Sequence, residues 1–144
     1  MHSRPHISAS TTVRVRFEEV DSLRIVWHGH YLSYFEDARR AFGRHYGIDY
    51  ADIRQHQLHA PLVHVEVDFL APAVDDDLLE VTASLLKSEV AKLEFIYTVV
   101  RPADQKRLAR GSSVQVFTKS DGTLLLHPPP LLVECYGRWE GLWK

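Results

Sequence analysis

Asp21-Ser22-Leu23-Arg24-Ile25-Val26-Trp27-His28-Gly29-His30-Tyr31 joins an acidic residue to the start of the longest helical pattern in the chain. Upstream, residues 12–18 alternate, with Val13, Val15 and Phe17 on one face and Arg14, Arg16 and Glu18 on the other. That is the pattern of a half-buried strand delivering the chain to Asp21. Downstream, Tyr31, Tyr34, Phe35, Ala38, Phe42 and Tyr46 recur at helical spacing, with Leu32 and Ala41 alongside. Glu36 and Arg40 fall four apart on the polar side, and Gly47 supplies a C-terminal stop. The helix start is unusual, because His28-Gly29-His30 offers no Ser, Thr, Asp or Asn to accept from its first amides. Free amides at such an end can polarise a carbonyl, while a nearby carboxylate attacks it or activates water. Asp21 also suits the plainer role of a turn residue after a strand.

The remainder of the chain supplies a sheet to cover the helix. Residues 49–56 form one or two helical turns capped by Asp49. Val63, Val65, Val67 and Phe69 alternate with His64, Glu66 and Asp68, and Leu79, Val81, Ala83 and Leu85 alternate with Glu80, Thr82 and Ser84. Lys87-Ser88-Glu89 links the second of these strands to a third through Ala91, Leu93, Phe95, Tyr97 and Val99. A long strand over residues 107–118 follows, then the turn Ser120-Asp121-Gly122 and a short strand over residues 123–127. Pro128-Pro129-Pro130 ends the sheet, and residues 131–136 read as a last helical turn. Residues 1–10 are polar and carry Pro5, which predicts a flexible N-terminal arm before a single domain over residues 11–144. One helix with a broad apolar face and a run of antiparallel strands predicts an α+β domain, five to six strands wrapped around the helix. Such strands leave an edge to be paired, which predicts a homo-oligomer.

Composition narrows the function classes. The 144 residues are 45% hydrophobic and 25% charged with a net charge of −2, and no Lys/Arg run marks a nucleic-acid face. Cys135 is the only cysteine, so no internal disulfide is expected and a reducing, cytoplasmic setting fits. No apolar stretch is long enough to span a bilayer, so membrane insertion is not expected. The nine histidines include His28, His30, His56, His59 and His64 but show no recognised ligand spacing, so no metal is expected. No Gly-rich phosphate loop and no Gly-x-Ser-x-Gly elbow is present.

The order strand, Asp21, His28, then Tyr31 opening a helix with Phe35-Glu36-Asp37-Ala38-Arg39 resembles the hotdog-fold acyl-CoA thioesterases. Within them it is similar to the 4-hydroxybenzoyl-CoA thioesterase branch, which includes the short-chain acyl-CoA thioesterases associated with the Tol–Pal system. Residues 25–31 fit the second half of the family motif, and Phe69-Leu70-Ala71-Pro72 matches a family strand that ends in Ala-Pro. Leu23 and Arg24 stand where the family has one or two glycines, and Phe17 where some members have tyrosine. The resemblance implies hydrolysis of an acyl-CoA thioester, with a short-chain or aromatic acyl group, by the catalytic residues Asp21 and His28. Asp21 would be nucleophile or general base, and His28 would act through its backbone N–H or its imidazole. Trp27, Gly29, Tyr31, Leu23 and Arg24 would bind substrate. No cofactor is implied, CoA being part of the substrate. The implied assembly is a homodimer or a homotetramer made as a dimer of dimers, with sites between subunits. Lys87, Lys92 and Arg110 are strand-end cations that would suit the phosphates of CoA. Glu36 and Asp37 occupy the helix where a related branch uses a glutamate, though Arg39 and Arg40 beside them fit a salt-bridge role. Two other readings stay open. A hydratase or dehydratase of the same fold would place Asp and His closer, with Asn-Pro between, a string this chain lacks. A non-catalytic acyl-binding protein would fit the Leu23-Arg24 departure.

Overall fold

The computed structural model describes residues 4–144. Strand β1 (His6–Arg14) leads through a 3₁₀ turn (Phe17–Glu19) and a loop into helix α1 (His30–Tyr46) and the short helix α2 (Tyr50–Gln55). Then come β2 (Leu58–His59), β3 (Leu62–Phe69), β4 (Leu78–Leu86), β5 (Lys92–Arg101), β6 (Lys106–Val116), β7 (Thr118–Lys119) and helix α3 (Pro130–Arg138). The main sheet has five antiparallel strands in the order β1-β4-β5-β6-β3, while β2 and β7 pair separately. The α+β arrangement expected from the opening stretch, a sheet around one long helix, is what the chain forms.

Helix α1 buries the predicted stripe of Tyr31, Tyr34, Phe35, Ala38 and Phe42. Phe35 stacks on Tyr97 of β5 at 4.4 Å between centroids, and Phe42 meets Phe95 edge-on at 5.1 Å. Gly111 of β6 makes the first contact possible, since a Cβ there would fall 2.5 Å from the Phe35 ring and 2.6 Å from the Glu66 carbonyl. Gly47 ends the helix in the left-handed region (φ 76°), its N–H donating to Gly43 O. Asp49 caps α2 as expected, in a reciprocal capping box with Asp52.

Four expectations need correction. The sheet begins at His6, so half of the expected arm is strand, and its first three residues lie outside the described residues. His6 to Arg14 pair with Leu86 to Leu78, and the polar side chains that disguise this strand form cross-strand hydroxyl pairs. Ser8 meets Ser84 and Ser10 meets Thr82, each at 2.7 Å. At its far end the strand stops at Arg14, and Phe17 lies 78% exposed in the 3₁₀ turn rather than in the core. The Val15 backbone is already tied to the residues before β4, donating to Asp77 O and accepting from Asp76 N–H. Residues 123–127 form a single bridge, Thr118 to Leu124, instead of a strand, because prolines that cannot donate to a ladder follow directly. The last helical turn is longer than expected. Helix α3 buries Leu131, Leu132 and Cys135, and Trp139 just beyond it donates Nε1–H to Tyr46 O at the end of α1.

The start of β1 pairs with the residue that closes the sequence. His6 N–H donates to Lys144 O (3.2 Å) and Lys144 N–H donates to His6 O (3.0 Å). At the other end of the sheet the 21–29 loop and the start of α1 meet the segment that follows β3, where Val26 N–H donates to Ala73 O at 2.9 Å.

Candidate active site

The loop after the 3₁₀ turn is closed by its own backbone. Asp21 N–H donates to Ile25 O, and Val20 and Val26 form an antiparallel bridge. Inside this clasp Asp21 O accepts from Arg24 N–H (2.9 Å) and Asp21 Oδ1 accepts from Leu23 N–H (2.8 Å). Among the described residues Oδ2 of Asp21 has no hydrogen-bond partner. Arg24 completes the turn at φ 64°, a left-handed conformation that a glycine adopts freely and an L side chain resists by about 1–2 kcal/mol.

The groove between this loop and the residues after β3 has a volume of about 420 Å³ and opens to solvent. Asp21, Leu23, His28 and Tyr31 line it from one side, with Ile25 and Val26, and Phe69, Leu70, Ala71 and Pro72 from the other. Tyr31 is buried between Phe69 (5.2 Å) and Tyr34 (5.6 Å), and burial pushes its phenol above the ordinary range. It forms part of the groove wall. Trp27, Gly29 and Arg24, also expected at the site, are not among the lining residues. Trp27 is 47% exposed, and its indole lies over Gly29 so closely that a Cβ on Gly29 would fall 2.1 Å from the ring.

The free amides begin at His28, where the sequence places them. Gly29, at the N-cap, already has helical dihedrals (φ −66°, ψ −24°), and no side chain caps the helix. Consequently His30, Tyr31 and Leu32 donate to the carbonyls of Trp27, His28 and Gly29 at 3.0, 3.3 and 3.3 Å. Trp27 N–H is taken by Glu19 O at 2.9 Å. The backbone N–H groups of His28 and Gly29 are the ones left without a backbone acceptor among the described residues. A half-buried carboxylate with one uncommitted oxygen thus shares a groove with His28, whose N–H and that of the next residue are unspent.

Other candidates are occupied elsewhere. Glu36 accepts from Arg39 and from Tyr50 Oη (2.8 Å), so the salt-bridge role fits it. Arg40 lies 3.8 Å from Asp49. Lys92 pairs with Glu94 (3.1 Å) and Lys87 lies over the Trp143 ring, both at the opposite end of the strands from Phe69. Arg110 is at the groove end but is paired with Asp68 at 3.0 Å. No group of three or more His, Cys, Asp or Glu side chains among the described residues is arranged to hold a metal ion. No helix among them is long and apolar enough to cross a membrane. The residues 69–72 wall was missed as site by sequence reasoning, although its Ala-Pro signature was visible.

Comparison with known proteins bears on this geometry. The family described as the thioesterase-like superfamily matches residues 15–134. A candidate esterase of Aquifex aeolicus is 29% identical over 119 residues, covering 83% of this chain and 91% of that one. The acyl-CoA thioester hydrolase YbgC of Escherichia coli is 27% identical over 88 residues, covering 61% of this chain and 66% of that one. A crystal structure from Aquifex aeolicus superposes with a TM-score of 0.79 at 27% identity, covering 88% of this chain and 98% of that chain.

Proposed function

The chain belongs to the thioesterase-like superfamily, and from that premise we propose that its groove hydrolyses an acyl-CoA thioester to the free acid and CoA. One observation carries the assignment: Asp21, with one carboxylate oxygen uncommitted, lines the same apolar groove as His28, whose N–H, like that of Gly29, has no acceptor among the described residues. The thioester carbonyl oxygen accepts from the His28 and Gly29 amides, which stabilise the negative charge that develops on it. Asp21 attacks the carbonyl carbon, or takes a proton from the water that does. In the first case CoA leaves as thiolate and water then cleaves the acyl-aspartyl anhydride. In the second, water oxygen enters the acid directly. Both routes give the same products and need no cofactor. A short-chain or aromatic acyl group suits the wall formed by Leu23, Ile25, Tyr31 and Phe69.

Thiol release from a panel containing acetyl-, butyryl- and benzoyl-CoA tests the proposal. Asp21→Asn is expected to lower kcat by about 10²-fold or more, as for loss of a positioned acid–base group. Full activity in that variant overturns the assignment. His28→Ala keeps its backbone N–H and is expected to retain activity within several-fold, whereas removal of a true oxyanion donor costs about 10²–10³ in kcat.

We further propose that the working unit is a homodimer joined through β3, alone or within a tetramer. Strand β3 is an edge of the sheet with no fully buried residue, and Val63, Val65 and Phe69 are exposed along it. A second copy added there would satisfy the open edge and cover these side chains. A cytoplasmic location is supported by Cys135, a buried free thiol that suits a reducing compartment.

A further inference from the structure

Glu19 is connected to both halves of the site through different atoms. Its backbone carbonyl accepts from Trp27 N–H at 2.9 Å, next to the unspent amides of His28 and Gly29. Its carboxylate Oε1 accepts from Arg16 N–H (2.9 Å), closing the 3₁₀ turn, and from Tyr34 Oη (3.0 Å) in the second turn of α1. Tyr34 is 1% exposed, so its ring is fixed in the core and its hydroxyl is a fixed anchor. Burial first, and the Glu19 carboxylate second, push that phenol far above its ordinary range, so it donates at every working pH. Asp21 follows Glu19 by two residues, at the base of the clasp that ends in the Val20–Val26 bridge. Nothing else among the described residues hydrogen-bonds the carboxylate-bearing loop to the helix by a side chain.

We propose that Glu19, anchored by Tyr34, is a positioning residue that sets the distance between the Asp21 carboxylate and the His28–Gly29 amides. The proposal rests on the hydrolase reading above for its kinetic consequence, though not for its geometry. Productive attack needs the nucleophile and the oxyanion donors to be held together within a fraction of an ångström, and a misplacement of about 1 Å is enough to cost two orders of magnitude. A clamp with one fixed end and one short side chain supplies that constraint. The neighbouring Glu18 is exposed and faces Arg16 at 3.7 Å, so it serves as the control carboxylate.

The test compares Glu19→Ala, Glu19→Gln, Tyr34→Phe and Glu18→Ala by kcat and KM for butyryl- and benzoyl-CoA. Tyr34→Phe and Glu19→Ala are each expected to lower kcat roughly tenfold with KM changed less than about threefold, the pattern of an interaction felt in the transition state. Glu19→Gln keeps an oxygen acceptor and recovers most of the rate, Glu18→Ala leaves it unchanged, and Glu19→Ala combined with Tyr34→Phe is no slower than the slower of the two single variants. A kcat within twofold of wild type in Tyr34→Phe, or losses confined to KM or to thermal stability, overturn the proposal. Should the wild-type protein release no thiol from any of the esters, the hydrolase reading falls alone. The amide proton–nitrogen resonances of His28 and Gly29 then decide: displaced in Tyr34→Phe they support the clamp, and unmoved they overturn it.

Discussion

Arg24 holds φ at 64° where glycine would pay no steric penalty, and its guanidinium forms no ion pair among the described residues. The left-handed conformation costs an L residue about 1–2 kcal/mol, offset in part by the greater flexibility that glycine brings to the unfolded chain. Arg24→Gly is therefore expected to stabilise the protein by about 0.5–1 kcal/mol, seen as a raised midpoint in thermal unfolding. A lowered midpoint would mean that the arginine side chain contributes more than its backbone costs. At this scale the sequence was informative about residue types and less so about backbone. Asp21, Leu23, His28 and Tyr31 were grouped by what the family resemblance implies, and the structure brings them to one groove. That the free amides start at His28 was legible from the missing cap, whereas their stopping at Gly29 was not, because it depends on Gly29 adopting helical dihedrals ahead of the regular helix. Glu19 was invisible as a partner of Tyr34, since a contact fifteen positions apart leaves no periodic trace.

Strand β3 illustrates what alternation does and does not reveal about an element. Val63, Val65, Val67 and Phe69 alternate with polar residues, the pattern of a strand with one buried face, yet only Val67 is even half-buried in the single chain. The pattern reports that a cover is wanted, not which chain supplies it. The β3 dimer predicts a concentration-dependent dimer in sedimentation equilibrium, and Val63→Lys is expected to shift it to monomer while the monomer fold persists. A wild-type protein that stays monomeric at every concentration would remove that assembly. Helix α1 was the opposite case. Most of its buried stripe and its Gly47 stop were legible, because the 3.6-residue period and the glycine signal sit within one continuous segment, although Leu32 of the expected apolar set is exposed. Strand β1 was half-missed because its Ser and Thr side chains satisfy one another across the sheet, where hydrophobicity gives no sign of them.

On the scale of the whole molecule, the order of elements followed from the sequence because strand and helix periods alternate cleanly between turn signals. Sheet order did not, since β3 lies at an edge beyond β6 and β1 beyond β4, placements set by long-range pairing. Nor could any local pattern show that residues 6 and 144 hydrogen-bond to each other. That closure has a consequence for how the chain may be rewired. Residues 6 and 144 are already held side by side, so a short covalent bridge between them asks for little rearrangement of the fold. Residue 144 joined to residue 6 through a short Gly/Ser bridge, and the chain cut at Asp121-Gly122, gives a circular permutant. The cut falls in an exposed turn where a side chain on Gly122 would meet nothing within 4 Å. The permutant is expected to keep the parent near-ultraviolet circular dichroism and thiol-release rate. A cut between Asp21 and Ile25 opens the clasp itself and is expected to abolish turnover, which would locate the indispensable continuity of the chain in five residues rather than where residues 6 and 144 meet.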